Sequence, residues 1–236
     1  MLIEAKGLSK RYRPKGPFVV EDVSFTIDRG ETLAIFGDSG SGKSTIGQVV
    51  AGLFPATSGE LFFEEHPLAY PFRGERRRQV QILFQHPEVA FDPKMRLVDS
   101  MREPYYFLGL PYSRQALCGY LERYGVYDEH LDRYPAELSG GELQLIENAM
   151  AGGHKILLFS QFTSMLDVIS QAQMIHLLQE VQRERGLGYL FISHDRALCE
   201  HFCTAIRPLK EGRLGEAEQA AMTGDCISGH HDTAHY

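Results

Sequence analysis

A glycine-rich stretch in the first quarter of the chain has the residue types and spacing of a phosphate-binding loop. It reads Gly37-Asp38-Ser39-Gly40-Ser41-Gly42-Lys43-Ser44-Thr45 and fits the pattern G-x-x-x-x-G-K-[ST] at every fixed position. The apolar run Leu33-Ala34-Ile35-Phe36 precedes it, and a helix is predicted from Lys43 to Leu53. Glycines let successive N–H groups face one concavity, and the helix dipole favours an anion there. The pattern predicts a nucleoside triphosphate site.

Two side chains of the loop have separate predicted roles. Lys43 is expected to reach the β and γ phosphates, and Ser44 to offer its hydroxyl to magnesium, which prefers oxygen ligands. A Gly/Ser-rich turn that fits the pattern by chance is the alternative, but strand, loop and helix occur in the required order. The predicted nucleotide-binding residues of the loop are Gly37, Ser39, Gly40, Ser41, Gly42, Lys43, Ser44 and Thr45.

Two further motifs indicate which kind of nucleotide protein this is. Leu138-Ser139-Gly140-Gly141-Glu142 lies about a hundred residues after the loop, and Ser193-His194-Asp195 closes the apolar strand Tyr189-Leu190-Phe191-Ile192. Together with the loop they resemble the ATP-binding subunits of ABC transporters, over the range from about Leu2 to Glu216. The resemblance implies ATP and magnesium as cofactors. It also implies an α/β P-loop NTPase fold with a mostly parallel sheet core, an antiparallel β edge lobe and a helical subdomain at about 88–137.

The resemblance assigns roles to three side chains outside the loop. Tyr12 matches the aromatic residue on which this family stacks adenine. Gln85 matches the Q-loop residue, whose amide can ligate magnesium and sense the γ-phosphate, and the His194 imidazole can hydrogen-bond the same phosphate. Taken singly, Tyr12 is typical of an aromatic residue in a strand, Gln85 of a surface amide and His194 of a structural histidine. Their joint order along the chain favours the functional roles.

The signature residues Ser139, Gly140 and Gly141 imply a partner. In the family they cap the γ-phosphate bound by a second ATP-binding subunit, so two chains face each other head to tail, and Asp167 matches the D-loop aspartate. The string Phe91-Asp92-Pro93-Lys94-Met95 looks like the start of the helical subdomain in the oligopeptide, dipeptide and nickel importer group. That group implies transmembrane permease subunits as further partners. The choice between peptide and metal cargo is not encoded in this chain.

The chain departs from the family at the Walker B motif. Counting back from Asp167, the two carboxylates of that motif are expected at positions 160 and 161, where this chain has Ser160 and Gln161. The first carboxylate normally holds magnesium through water, and the second orients or deprotonates the attacking water. Serine and glutamine have no negative charge near neutral pH. We therefore assign the catalytic positions to Gln161, His194 and Gln85, and expect impaired hydrolysis.

The segment around the departure has a second resemblance. From about 143 to 169, the string Gly153-His154-Lys155-Ile156-Leu157-Leu158-Phe159-Ser160-Gln161-Phe162 and its surroundings resemble a helix-strand motif in the second ATPase lobe of Swi/Snf-type helicases. This indicates a chimera, natural or constructed. Three functions stay open: an ATP-hydrolysing importer subunit, a nucleotide-binding subunit that cannot hydrolyse at its own site, and a DNA-dependent ATPase, which would need two motor lobes of its own.

Composition supports the first two functions. The chain has 236 residues, of which 43% are hydrophobic and 23% charged, as is usual for a globular domain. The net charge of -7 argues against a nucleic-acid partner. No membrane span or signal peptide is recognised, which predicts a cytoplasmic protein held on the inner face of the membrane by its partners.

The four cysteines, Cys118, Cys199, Cys203 and Cys226, form no C-x-x-C pair and are expected to be free thiols. We expect one nucleotide-binding domain at 1–215 and a polar tail at 216–236. In the tail, Cys226 and three histidines have the residue types of a soft-metal site, but a mobile terminus is the favoured interpretation.

Overall fold

The computed structural model describes residues 1–73, 79–83, 87–109, 111–151, 156–160 and 168–219. The strands are β1 (Ile3–Lys10), β2 (Val20–Ile27), β3 (Thr32–Phe36), β4 (Ser58–Phe63), β5 (His66–Pro67), β6 (Val80–Leu83), β7 (Ile156–Ser160), β8 (Gly188–Ser193), β9 (Ala205–Lys210), β10 (Arg213–Leu214) and β11 (Glu218–Gln219). The α-helices are α1 (Lys43–Val50), α2 (Leu97–Leu108), α3 (Arg114–Leu121), α4 (Asp128–Leu131), α5 (Gly140–Ala151), α6 (Val168–Arg185) and α7 (Arg196–Phe202). Short 3-10 helices occupy Pro87–Ala90, Glu122–Tyr124 and Pro135–Glu137.

The central sheet is mostly parallel. Its strand order is β10-β9-β3-β8-β7-β6, and β11 pairs with β9. The pairs β3 with β8, β3 with β9, β8 with β7, and β7 with β6 are all parallel. Every residue of β8 is buried, as expected for a parallel strand that is covered on both faces. The carboxyl ends of these strands therefore meet at one edge.

A second, antiparallel sheet forms the edge lobe, with strand order β2-β1-β4-β5. The apolar residues of β2 alternate, so that Val23, Phe25 and Ile27 are buried while the residues between them are exposed. One face of this sheet thus packs inward and the other faces solvent. Its buried residues join those of α1 and of one face of the central sheet in a single apolar cluster.

The helical subdomain lies between β6 and β7 in the chain. Its helices α2, α3 and α4 pack through Leu97, Leu117 and Leu131 on the same apolar cluster as α6, α7 and the other face of the central sheet. Helix α3 begins where the Ser113 hydroxyl accepts a hydrogen bond from the Ala116 N–H at 3.3 Å. Within the described part of the chain, no helix is long and apolar enough to cross a bilayer.

The predicted fold class is confirmed, with differences at the short elements. Helix α1 ends at Val50 and not at Leu53, because Gly52 adopts φ +69°. The sequence analysis missed α4 and the two-residue strands β5, β10 and β11, which are too short for a periodic pattern. The boundary between a domain at 1–215 and a tail at 216–236 stays a prediction; Glu218 pairs with Ile206 at the sheet edge. Residues 220–236, including Cys226, lie outside the described part.

The described cysteines are free: Cys199 and Cys203 are buried, and Cys118 is half-buried.

One arginine joins the two sheets. The guanidinium of Arg207 in β9 donates to the Gly215 carbonyl at 2.8 Å and to the Ser24 carbonyl of β2 at 2.6 Å. Burial lowers the pKa of Arg207 below its usual value. Nearby, Arg213 reaches the Glu21 carboxylate at 3.0 Å, but the Arg213 side chain is 70% exposed.

Replacing Arg207 by Met should lower the free energy of unfolding by about 2 kcal/mol, because two carbonyls lose a charged donor. Arg213→Met is the matched control and should leave stability nearly unchanged, because exposed pairs contribute little. Urea unfolding followed by circular dichroism measures both. Equal losses in the two variants would contradict the assigned role of Arg207.

Candidate phosphate-binding site

The glycine-rich loop runs from the carboxyl end of β3 to the first residue of α1. Gly42 precedes the helix with φ 104°, a conformation that side chains other than glycine rarely adopt. A Cβ at Gly42 would lie 2.6 Å from the Val19 carbonyl oxygen, and one at Gly37 would lie 2.4 Å from the Leu209 carbonyl oxygen. The chain passes too close for a side chain at either position. The loop therefore needs glycine at both.

A polar cavity of about 200 Å³ opens at this loop. It is lined by Val19, Ser39, Gly40, Gly42, Lys43, Ser44 and Thr45. The loop amides and the N-terminus of α1 together form a surface suited to an anion. Most of the predicted loop residues are thus brought together around one cavity.

The Lys43 ammonium is buried beneath the loop. Its Nζ donates to the Gly37 carbonyl at 2.7 Å and to the Asp38 carbonyl at 2.5 Å, and it lies 3.5 Å from the Ser41 hydroxyl. Lys43 is 3% exposed, and this burial lowers its pKa although the Asp38 carboxylate acts in the opposite direction. The two carbonyls accept hydrogen bonds from an ammonium that faces into the loop. A phosphate oxygen at this place is a stronger acceptor than a neutral carbonyl.

Tyr12 is placed beside the same loop. Its hydroxyl lies 3.2 Å from the Thr45 hydroxyl and 3.4 Å from the Gln48 side-chain oxygen. The Lys10 ammonium lies 5.4 Å from the centre of the Tyr12 ring, and the Phe54 ring meets it edge-on at 6.1 Å. Tyr12 is nevertheless 54% exposed, so the ring offers surface to a flat ligand. The contacts to Gln48 and Thr45 were not predicted, because they join residues far apart in the sequence.

His194 and residue 160 lie at the same edge of the sheet as the loop. Ser193 at the end of β8 pairs with Phe36 at the end of β3, and His194 follows it and is exposed. Ile192 of β8 pairs with Ile35 on one side and with Ser160 on the other. Residue 160 is therefore in register, across β8, with the second-last residue of β3 before the loop.

Asp195 has a structural role beside His194. Its side chain accepts a hydrogen bond from the Leu198 N–H at 3.1 Å and begins α7.

The signature residues lie elsewhere in the fold. Ser139 immediately precedes α5, and none of Ser139, Gly140 and Gly141 lines the cavity at the loop. Ser139 and Gly140 are exposed. The sequence analysis gave no role to Glu142, whose carboxylate accepts from the Ser139 N–H at 2.8 Å and from the Ser139 hydroxyl at 2.7 Å. The S-x-x-E spacing of a helix capping box was the available signal.

Three predicted site residues, Gln85, Gln161 and Asp167, lie outside the described residues, so their roles stay predictions. For a metal, the described loop offers the Ser44 hydroxyl. Among the described residues, no group of 3 or more His, Cys, Asp or Glu side chains is arranged to hold a metal ion.

A strand, a phosphate-binding loop and a helix, set in a mostly parallel sheet beside an antiparallel lobe, define a P-loop NTPase. A family model described as ABC transporter matches residues 20–163. The chain therefore belongs to the ABC transporter family and carries its ATP-binding domain.

Individual relatives agree with this family. The nickel import ATP-binding protein NikE of Rhodospirillum rubrum is 36% identical over 94% of this chain and 85% of its own length. The glutathione import ATP-binding protein GsiA of Escherichia coli is 38% identical over 84% of this chain, which spans only 33% of that protein. The solved structure of cbiO1 from Clostridium perfringens, part of an ABC transporter complex, has a TM-score of 0.82 at 25% identity and covers 93% of this chain and 88% of its own.

Two loop glycines allow a matched test of this geometry. Gly40 and Gly42 both have positive φ, but a Cβ at Gly40 would meet nothing within 4 Å. Gly40→Ala should cost about 1 kcal/mol of unfolding free energy from backbone strain alone. Gly42→Ala should cost roughly 1 to 3 kcal/mol more, because its methyl group collides with the Val19 carbonyl. Urea unfolding of both variants measures the difference. Equal costs would contradict the close approach of Val19.

Proposed function

We propose that this chain is the ATP-binding subunit of an ABC importer that takes up peptides or nickel and other metal chelates. The observation that carries the proposal is the buried Lys43 ammonium, which lines the loop cavity and whose hydrogen-bond partners among the described residues are two backbone carbonyls and a hydroxyl. The names of the relatives, nickel and glutathione import ATP-binding proteins, support the importer class and the cargo group.

ATP binding would proceed by exchange of partners at Lys43. The Lys43 ammonium then donates to the β and γ phosphates instead of to the Gly37 and Asp38 carbonyls. The loop amides bind the other phosphate oxygens. A charge-assisted contact to phosphate is stronger than one to a neutral carbonyl. The exposed face of Tyr12 stacks on the adenine, while its hydroxyl stays against Thr45 and Gln48.

The loop suits magnesium better than the end of β7 does. The Ser44 hydroxyl lines the cavity and is an oxygen ligand of the kind magnesium uses beside phosphate oxygens and waters. At the neighbouring strand end, position 160 has a hydroxyl in place of a carboxylate. When bound, the ion would neutralise phosphate charge. We propose that Ser44 and Gln85 hold it, and that it binds more weakly than where a Walker B aspartate is present.

The separation of loop and signature supports a head-to-tail dimer. The signature residues Ser139 and Gly140 are exposed in the helical subdomain and do not line the cavity of their own chain. A second chain can therefore present its signature to the nucleotide held here, with Asp167 at the shared boundary. Transmembrane permease subunits complete the proposed importer.

The lysine gives a direct test of nucleotide binding. Lys43→Ala should weaken ATP binding by about 1.5 to 3 kcal/mol, because one charge-assisted contact is lost. Lys94→Ala is the matched control, since Lys94 is exposed in the helical subdomain. Isothermal titration calorimetry with magnesium and ATP measures both. The proposal fails if the folded parent does not bind ATP, or if binding is indifferent to Lys43→Ala.

A second candidate, a subunit that binds ATP but barely hydrolyses it, is favoured by the register of β7. Ser160 is in register with Ile35 across β8, which supports the proposal that position 160 takes the place of the first Walker B carboxylate. Ser160 removes the carboxylate that holds magnesium through water, and Gln161 removes the base or orienter of the attacking water. His194 and Gln85 can still contact the γ-phosphate. They do not replace a base.

The segment resembling Swi/Snf-type helicases fits this candidate as a structural graft. Helix α5 leads into strand β7, which is parallel to both of its neighbours: Ile156 to Phe159 pair with β6, and Ile156 to Ser160 pair with β8. A net charge of -7 does not suit a protein that binds along DNA. We therefore keep the chimeric origin of 143–169 as a proposal and do not favour a DNA-dependent ATPase.

Hydrolysis separates the two candidates. The parent chain should release phosphate about a hundredfold to ten-thousandfold more slowly than the double variant Ser160→Asp with Gln161→Glu, because the variant regains the metal carboxylate and the base. Ser160→Asn, similar in size to Asp but uncharged, is the control and should recover nothing. Adding Lys43→Ala to the double variant should abolish the recovered turnover. Robust turnover by the parent would exclude the impaired candidate.

A further inference from the structure

The Glu142 carboxylate is hydrogen-bonded through one oxygen and lies beside His130 with the other. Oε2 accepts from the Ser139 N–H at 2.8 Å and from the Ser139 hydroxyl at 2.7 Å. Oε1 lies 3.5 Å from Nε2 of His130, a separation longer than an ordinary hydrogen bond. The Ser139 hydroxyl in turn accepts from the Glu142 N–H at 3.2 Å. A glutamate side chain has several rotatable bonds, so the ring beside Oε1 adds to the restraint that the capping box imposes.

The protonation of His130 follows from its other ring nitrogen. Nδ1 accepts a hydrogen bond from the backbone N–H of Tyr127 at 2.8 Å, so the proton of a neutral ring must reside on Nε2. That N–H faces Glu142. The His130 side chain is only 11% exposed and is fixed in α4, whereas the Glu142 side chain is 36% exposed. The histidine is therefore the fixed partner and the glutamate the one that is positioned.

The surroundings favour an ionised Glu142. The hydrogen bonds from the Ser139 hydroxyl and N–H lower the pKa of Glu142 most, and the fields of His130 and Arg133 act in the same direction. The neighbouring α5 amides, which have no intrahelical acceptor, also favour a negative charge. A carboxylate bound in this way stays on Ser139 at the N-terminus of α5.

We propose that His130 is a positioning residue of the signature: through Glu142 it fixes Ser139 and the first turn of α5 in the orientation that meets a nucleotide held by a second copy of this chain. This rests on the proposed head-to-tail dimer. His130 itself does not touch the nucleotide. The restraint of Glu142 thus acts on the geometry of Ser139 and the first turn of α5.

Two substitutions distinguish the roles of the two ring nitrogens of His130. In His130→Asn the amide oxygen takes the place of Nδ1 and still accepts from Tyr127, but nothing reaches Glu142. In His130→Gln the longer amide places an N–H donor near the position of Nε2. We expect His130→Asn to weaken ATP-dependent self-association by about twofold to tenfold, the worth of one such contact, and His130→Gln to retain it. Sedimentation velocity with magnesium and ATP measures the dimer, and thermal unfolding confirms that both variants are folded.

A double-mutant cycle tests whether His130 acts through Glu142. In a Glu142→Ala background, His130→Asn should have no further effect on association. Additive losses, or unchanged association in folded His130→Asn, would overturn the proposal. Failure of the parent to associate with ATP would count against the proposed dimer, and the amide exchange rate of Ser139, measured by NMR without nucleotide, then decides. Faster exchange in His130→Asn but not in His130→Gln supports the positioning role, and equal rates refute it.

Discussion

The parallel hydrogen-bond register of β3, β8 and β7 is the constraint on which the candidate site depends. Parallel pairing brings the carboxyl ends of these strands to one edge, where the loop, His194 and position 160 follow strands that are adjacent in the sheet but distant in sequence. The apolar cores on both faces keep this register, because a one-residue slip of β8 would exchange the side chains that pack in the two cores. The positions of the chemical groups are thus set by strand packing.

The edge lobe completes the site that the central sheet begins. The Val19 carbonyl approaches Gly42 so closely that only glycine fits, and Tyr12 from the end of β1 reaches Thr45 on α1. The Arg207 bridge to Ser24 holds β2 and β9 together on the far side of the loop. Movement of the lobe would therefore disturb both the loop conformation and the aromatic ring beside it.

The resemblance to a family implied the fold class, whereas local patterns in the sequence predicted the loop, the helix after it and the apolar strand before His194. Each depends on residues that are neighbours in the chain, such as the glycines before Lys43 or the continuous apolar run of β8. The contacts of Tyr12 with Gln48 and of His130 with Glu142 join separate elements, so no local pattern encodes them. Strands of two residues were missed because their pairing is decided by the partner strand. The residues Gln85, Gln161 and Asp167 fall outside the described residues, so their roles remain predictions.

The departure at positions 160 and 161 replaces two carboxylates by uncharged side chains. Strand β7 is a continuous apolar run up to Ser160; its first four residues pair with both β6 and β8, and Ser160 pairs with β8. The loop with Lys43 and the signature with Ser139 are intact and lie on separate parts of the fold. In the proposed head-to-tail pair, a site formed by an intact partner's loop and this chain's signature lacks nothing, whereas the site at this chain's own loop lacks its base. In the proposed pair, such a subunit supports turnover at its partner's site, and the orientation of Ser139 that we propose His130 fixes acts at that site.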